Sequence, residues 1–345
     1  MTCFYDSVRN KRSSNEDSFA KMEFRLNHEA GVYAMAVADG MGGLAAGKDY
    51  SNMAVRLWYR ELLKLIMGDE FAGGTLENQT ELLREFSGKV YGRLGRILYR
   101  KGIDTGIRGG TTLTTVIRFW DTLIIANVGD SPVYGIRDGD ITLLSEIQNV
   151  SGKMVREGKT EPRSLLYYQN KNRLLQYLGS REEVHPHCVT LDVRDVDALL
   201  LGTDGAFGDL TMEEIHDTVC LEPDSRTVIR SLFEHAREYG EEDNQTAILY
   251  LPHAGERTTT KARDHGYPRF MDEVPAVPEE GLLPEESPDG EEEAGFSEDN
   301  GEPGGDAEPF PIPEITVISQ TTIKQGRRGL RMMRRILARL PFSRR

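Results

Sequence analysis

An α+β fold, with strands and helices in separate blocks, is predicted for this chain by two observations. Short runs of β-branched and apolar residues closed by turn residues crowd positions 111–144, whereas helical periodicity occupies 45–99 and 212–239. Strict alternation, the mark of a parallel doubly wound sheet, is missing. A third observation concerns the ends of those runs, where acidic residues stand repeatedly.

Taken in order, residues Ser18 to Arg25 predict a strand, Asn27-His28-Glu29 a turn, and Val32 to Ala38 a second, buried strand, together a hairpin. Asp39 stands where that strand leaves the core, and Gly40, Gly42 and Gly43 let the backbone turn closely around an ion. Taken alone, the same stretch also reads as an ordinary Asp-Gly turn. From Ala45, Met53, Leu57, Leu62 and Ile66 recur at helical spacing, with Arg56, Arg60 and Lys64 on another face. Gly68 to Thr75 breaks the pattern. A second helix is predicted from Leu76 to Tyr99, with Leu82, Leu83, Phe86, Val90, Leu94 and Ile97 on one side, antiparallel to the first.

Strands at 111–119, 122–128, 133–136 and 141–144, with turns at Trp120-Asp121 and Arg137 to Asp140, predict an antiparallel meander. Residues 145–186 are mixed and partly helical over 164–177, with His185 and His187 flanking a proline in a loop. A strand at 198–203, helices at 212–220 and 226–239, and a strand at 246–251 complete the block.

Beyond Leu251 the composition changes. Residues 272–308 hold 15 acidic residues and no Lys or Arg among Pro, Gly and Ser, a composition that buries too little apolar surface to fold. Residues 324–345 hold nine basic residues and no acid, with Leu330, Met333, Leu337 and Leu340 on one helical face. Such a segment suits an anionic membrane, a partner's groove, nucleic acid or the acidic linker itself. The division expected is a catalytic domain over 1–252, an acidic Pro/Gly-rich disordered linker over 253–323 and a basic amphipathic segment over 324–345. A net charge of −14 in 345 residues argues against a general nucleic-acid binder. Three scattered cysteines, Cys3, Cys188 and Cys220, suit a reducing cytosol, and no apolar run of spanning length is found. The expected location is cytoplasmic, with peripheral attachment at the inner face of the membrane as an alternative.

The acids carry the chemistry. Leu123 to Gly129 runs into Asp130, Ala198 to Thr203 runs into Asp204-Gly205, Asp243-Asn244 precedes a strand, and Asn15-Glu16-Asp17 follows Arg12. Oxygen ligands drawn from distant strand ends are what Mg²⁺ or Mn²⁺ requires. Zinc fits poorly, because no paired Cys motif exists.

Six motifs fall in one order: Arg12-Ser-Ser-Asn15-Glu16-Asp17, Asp39-Gly40-Met41-Gly42-Gly43, Gly109-Gly110-Thr111-Thr112, Asn127-Val-Gly-Asp130-Ser131, Asp204-Gly205 and Asp243-Asn244. In that order the chain resembles the metal-dependent serine/threonine phosphatases of the 2C type, in their bacterial form, over roughly residues 5–251. The resemblance implies a four-layer α-β-β-α sandwich, two antiparallel sheets flanked by helix pairs. It implies two Mn²⁺ or Mg²⁺ ions, with room for a third. By that resemblance Asp39 would bridge them, the Gly40 carbonyl would complete one shell, Asp204 and Asp243 would hold the other, and Asp130 with Asp204 would support the third. Asp17 and Glu16 match acids near the metals, Glu16 acting through water. Arg12 matches the phosphate-binding arginine, a role its planar guanidinium suits, with Arg9 as a fallback.

The chain departs from the family pattern at two places. Met41 replaces a histidine proposed as general acid in many eukaryotic members, so leaving-group protonation is expected to rely on water at the metal. The stretch after Leu144 lacks the Asp-His pair often found there, which bears on substrate selection. Gly110-Thr111-Thr112 reads as packing at a strand start. The implied function is hydrolysis of phosphoserine and phosphothreonine in proteins by a metal-activated water, opposing a Ser/Thr kinase. The competing readings are a weak or inactive scaffold acting through its charged tail, and a hydrolase of small phosphate esters or diesters.

Overall fold

The chain opens on an edge strand, β1 (Thr2–Val8), which pairs antiparallel with the last strand, β12 (Gln245–Leu251), so the two ends of the described chain are sewn together. The structure, a computed structural model, describes residues 2–26, 31–42 and 46–252. The turn expected at Asn27 to Glu29, Gly43, and everything from 253 onward, including the acidic linker and the basic segment, lie outside the described residues.

The predicted hairpin is β2 (Ser18–Arg25) with β3 (Gly31–Ala38), and β4 (Gly40–Met41) follows at once. Residues of β3 alternate in what they meet: Val32, Ala34, Ala36 and Ala38 pack toward helices, Met35 and Val37 toward a second sheet. A strand covered on both faces has no reason to alternate in polarity, and that is why this one is apolar throughout. Its alanines let α1 (Ala46–Ile66) lie close, with the Tyr59 hydroxyl 2.7 Å from the Ala20 carbonyl and 2.8 Å from that of Ala34.

A short helix, α2 (Asp69–Gly73), fills the predicted break, and α3 (Leu76–Thr105) runs further than expected. It starts where the Thr75 side chain accepts the Asn78 N–H and stops at Gly106, whose φ of 70° only glycine adopts without cost. Next come β5 (Gly110–Thr111), paired with β4, then β6 (Leu113–Phe119), β7 (Thr122–Val128), β8 (Val133–Arg137) and β9 (Asp140–Leu143).

The predicted meander is not one sheet. β6 and β7 join β3 in a sheet of order β10-β7-β6-β3-β2, whereas β8 and β9 belong to a sheet of order β1-β12-β11-β8-β9. Gly129, with φ of 104°, starts the crossing between them, and its Cα faces Thr112 so closely that a Cβ would lie 2.5 Å from the Thr112 methyl.

Residues 145–186 also depart from expectation. Helix is confined to α4 (Val150–Arg156) and α5 (Leu165–Tyr168), so most of 164–177 is turn or irregular chain, with bridges from Leu174 to Asn149 and from Leu178 to Thr111. His187, expected in a loop, opens β10 (His187–Asp192), an edge strand on β7 that the proline and polar neighbours concealed. Then follow β11 (Ala198–Gly202), α6 (Asp204–Phe207), α7 (Met212–Leu221) and α8 (Val228–Glu238), before β12.

Three apolar clusters define the layers. Ile117 and Ile124 of the first sheet meet Leu57, Trp58, Leu62 and Leu94 of α1 and α3. Val116 and Ile125 on its other face meet Leu199, Leu201 and Ile248 of the second sheet. Leu200 and Leu249 meet Ile215, Val219, Leu232 and Phe233 of α7 and α8. The result is helices, sheet, sheet, helices. Among the described residues no helix is long and apolar enough to cross a membrane.

Candidate active site

Acid-bearing segments from both sheets meet at one end of the sandwich. Asp39 follows β3, and its backbone is held from both directions. Its N–H donates to Thr112 Oγ1 at 2.9 Å, and its carbonyl accepts from the Thr112 N–H at 2.9 Å and from Thr111 Oγ1 at 2.7 Å. The two threonines read from the sequence as packing at a strand start therefore also fix the position of Asp39.

Beside Asp39, three pieces of chain touch with no room for side chains. A Cβ on Gly40 would lie 2.2 Å from the Gly47 carbonyl oxygen and 2.6 Å from that of Glu16, and a Cβ on Gly47 would lie 2.1 Å from Glu16 Oε2. Gly47 sits inside the helical periodicity of α1, where sequence offers only a lone glycine in a first turn as a signal.

The segment carrying Arg12, Glu16 and Asp17 joins β1 to β2 and is clamped by Asn244. The Asn244 side chain accepts the Glu16 N–H at 2.8 Å and donates to the carbonyls of Arg9 at 2.8 Å and Ser14 at 2.9 Å. Ser51 Oγ donates to the Glu16 carbonyl at 2.6 Å and Lys48 Nζ to that of Asp17 at 2.6 Å. Asn244 appeared in the sequence only as the neighbour of Asp243, and its clamping role was not legible there.

Asp17 is 2% exposed; Oδ2 accepts from Thr203 Oγ1 at 2.9 Å, and Oδ1, also buried, has no hydrogen-bond partner. Burial, reinforced by the charges of Asp204 and Asp243, pushes its pKa up to about 7, against the pull of hydrogen bonds from Thr246 and Thr203. Asp130, on the crossing after β7, is held by Asn149 Nδ2 at 3.0 Å, and burial followed by the Asp204 charge raises it likewise to about 7. Asp39 is raised well above the usual carboxylate range, by burial first and then by Asp17, Asp204, Asp130 and Asp243. Asp204 borders a solvent-open cavity but is surrounded by protein, and it too is raised, by desolvation and then by Asp243. Asp17, Asp39, Asp130 and Asp204 are thus each raised by burial and by the charge of at least one neighbouring carboxylate.

They share a field without closing into a shell. Among the described residues, no three His, Cys, Asp or Glu side chains are gathered tightly enough to hold an ion as they stand. Asp17 is held by Thr203, Asp130 by Asn149 and Asp204 by the Gly205 N–H at 2.7 Å, while the Asp204 and Asp39 side chains also hydrogen-bond to each other. Asp243 accepts the Asn244 N–H at 2.7 Å and Arg12 at 2.5 Å. The donor set nevertheless fits a hard divalent cation. It is all oxygen, it carries like charges whose burial is costly unless neutralised, and it includes one buried carboxylate oxygen with nothing to bond.

Asp204 and Asp243 open into a cavity of about 500 Å³ shared with Arg12, Lys171, Asp209 and Tyr239. Arg12 is at its rim with a side chain 60% exposed; Arg9 is exposed and donates to the Ser13 carbonyl at 3.2 Å.

The model of the protein phosphatase 2C family matches residues 6–249. Serine/threonine phosphatase stp of Listeria welshimeri is 28% identical over 242 residues, covering 69% of this chain and 90% of that protein. Protein phosphatase PhpP of Streptococcus pneumoniae is 27% identical over 246 residues, covering 70% and 93%. Among solved structures, the serine/threonine phosphatase Stp1 from Staphylococcus aureus has the same fold, with a TM-score of 0.62 at 22% identity over 73% of this chain and 95% of that one.

Proposed function

Since this chain belongs to the protein phosphatase 2C family, we propose that it hydrolyses phosphoserine and phosphothreonine in proteins. The observation that carries the reading is the shared field of Asp17, Asp39, Asp130, Asp204 and Asp243, drawn from both sheets, with a guanidinium at the rim.

Asp39 and the Gly40 carbonyl on one side, Asp204 and Asp243 on the other, would hold two Mn²⁺ or Mg²⁺ ions. Asp130 with Asp204 would take a third, and Asp17 would support the cluster through its unbonded oxygen. Ions bound there supply a nucleophile at neutral pH and neutralise charge on the phosphoryl group. The chain does the positioning. Thr111 and Thr112 fix Asp39, and Asn244 and Ser51 fix the Glu16 segment. Arg12, held by one carboxylate at the rim, presents a fork that grips two phosphate oxygens equally well.

The substrates on this reading are phosphoproteins made by a Ser/Thr kinase. Residues 1–252 form the catalytic unit, 253–323 a linker and 324–345 a docking segment for a membrane surface or a protein. The test is Mn²⁺-dependent hydrolysis of an aryl phosphate, a phosphopeptide and a nucleotide by the full chain, with Asp39→Asn as control. Turnover of phosphopeptide that Asp39→Asn abolishes is expected. Equal rates for both proteins, or none, would leave the scaffold reading, and a preference for nucleotide would point to small esters.

A further inference from the structure

The outward face of the α1 and α3 layer carries a charge pattern opposite to that of the chain. Net charge is −14, yet the stretch of α3 from Phe86 to Ile103 holds five Lys or Arg residues and no Asp or Glu. Lys89, Arg93, Arg96 and Arg100 recur at spacings of four, three and four, which places them on one helix face, and all four are exposed. Arg60 and Lys64 extend the patch onto α1.

Its cations outnumber the carboxylates they meet in ion pairs, Glu61, Glu85, Glu182 and Asp49. Arg60, Lys64 and Arg93 converge on the single carboxylate of Glu61, at 2.9, 2.9 and 2.8 Å. Three cations share one acid, so their local sum stays positive. Farther along, Lys89 pairs with Glu85 at 2.7 Å, Lys101 pairs with Asp49, and Arg100 has Glu182 only at 3.6 Å.

We propose that this basic face is the docking surface for the chain's own acidic segment, residues 272–308. Charge complementarity selects the occupant, since that segment has 15 acidic residues and no Lys or Arg. Reach permits it. The described chain ends at Pro252, whose carbonyl accepts from Arg118 of β6, a strand of the sheet that α1 and α3 cover. Residues 253–271 can span up to roughly 65 Å when extended. A domain of this size is about 45 Å across, so every part of the face is accessible. Tethering supplies an effective concentration near the millimolar range, enough for weak, multiple ion pairs to hold.

Zero-length carbodiimide cross-linking of the full chain, read by mass spectrometry on the monomer band, tests this directly. Lys64 and Lys89 are expected to be joined to acids within 272–308 at low salt. The yield should fall roughly tenfold in about 0.5 M salt, where the Debye length is roughly 4 Å. It should fall similarly in an Arg96→Glu, Arg100→Glu double variant, whose aryl phosphate turnover should match that of the unaltered chain. Cross-links from 272–308 mainly to Lys324 would assign the acidic run to the basic tail and overturn the proposal. So would cross-links joining two copies, their absence at Lys64 and Lys89, or yields indifferent to salt and to the double variant.

Discussion

Replacing Gly47 by alanine adds a single methyl group, far smaller than most perturbations of an active site, yet the geometry leaves it no place. The new carbon would lie 2.1 Å from Glu16 Oε2 and 2.8 Å from the carbonyl carbon and oxygen of Gly40. The Glu16 tip can swing away. The Gly40 peptide is laddered to Thr111 through β4 and β5, and since ordinary contact begins at 3.4 Å it must retreat by about 0.6 Å. Metal–oxygen distances tolerate roughly 0.2 Å, so an ion using the Gly40 carbonyl loses its geometry. The expected outcome is a roughly 10- to 100-fold weaker Mn²⁺ activation, the range seen when groups that orient metal ligands are altered. Overpacking should also cost about 1–3 kcal/mol, lowering Tm by roughly 2–12 °C. Gly88→Ala in α3 is the control, because nothing lies within 4 Å of its added carbon. That change should leave Mn²⁺ activation alone and stabilise the helix by about 0.5–1 kcal/mol. Manganese titrations of aryl phosphate hydrolysis, with thermal melts of the metal-free proteins, read both quantities. A Gly47→Ala enzyme with unaltered Mn²⁺ dependence would refute the reasoning.

Three further outcomes are expected. Asp17 holds its proton to about pH 7 when folded and to 3.8 in an ordinary setting, so the metal-free folded state binds more protons than the unfolded chain between those values. Its stability should therefore be highest at acidic pH and fall as pH rises toward 7, by on the order of 4 kcal/mol for Asp17, with Mn²⁺ restoring it at pH 8; urea melts that ran the other way would exclude this. Asn244→Ala removes three hydrogen bonds at the Glu16 segment and should cost about 2–4 kcal/mol, with faster amide exchange confined to residues 9–17 as its signature. Arg12→Ala should lower kcat/KM roughly 10- to 100-fold on phosphopeptide and aryl phosphate alike, with Arg12→Lys recovering only part; steady-state kinetics on both substrates decides it.

Much of the architecture was legible because burial writes itself into composition. The continuous apolar run of β3 and the β-branched stretches of β6 and β7 announce strands covered on both faces, and α1 announces itself by spacing. The partition of strands between sheets was not legible. Nothing at Gly129 distinguishes a hairpin turn from a crossing, because the decision lies in how Gly129 packs on Thr112, 17 residues earlier. β10 was hidden for a different reason: an edge strand needs few apolar residues, and its polar neighbours read as loop. Acids at strand ends could be found by position. Asn244, Thr112 and Gly47 could not, since their parts consist of contacts with residues as far as 235, 73 and 31 positions away.

Two of the loops that carry the acids are also seams of the sandwich. The stretch bearing Arg12, Glu16 and Asp17 stitches β1 in one sheet to β2 in the other, and the stretch bearing Asp130 stitches β7 to β8. Neither half of the domain owns a complete set of oxygens. A cation shared by Asp39 and Asp204 would therefore act as a rivet through both sheets, so the enzyme's working parts and its structural fastening would be the same few atoms. Loosening of the apolar filling between the sheets, at Val116 or Leu201, should be felt first as slack in that rivet.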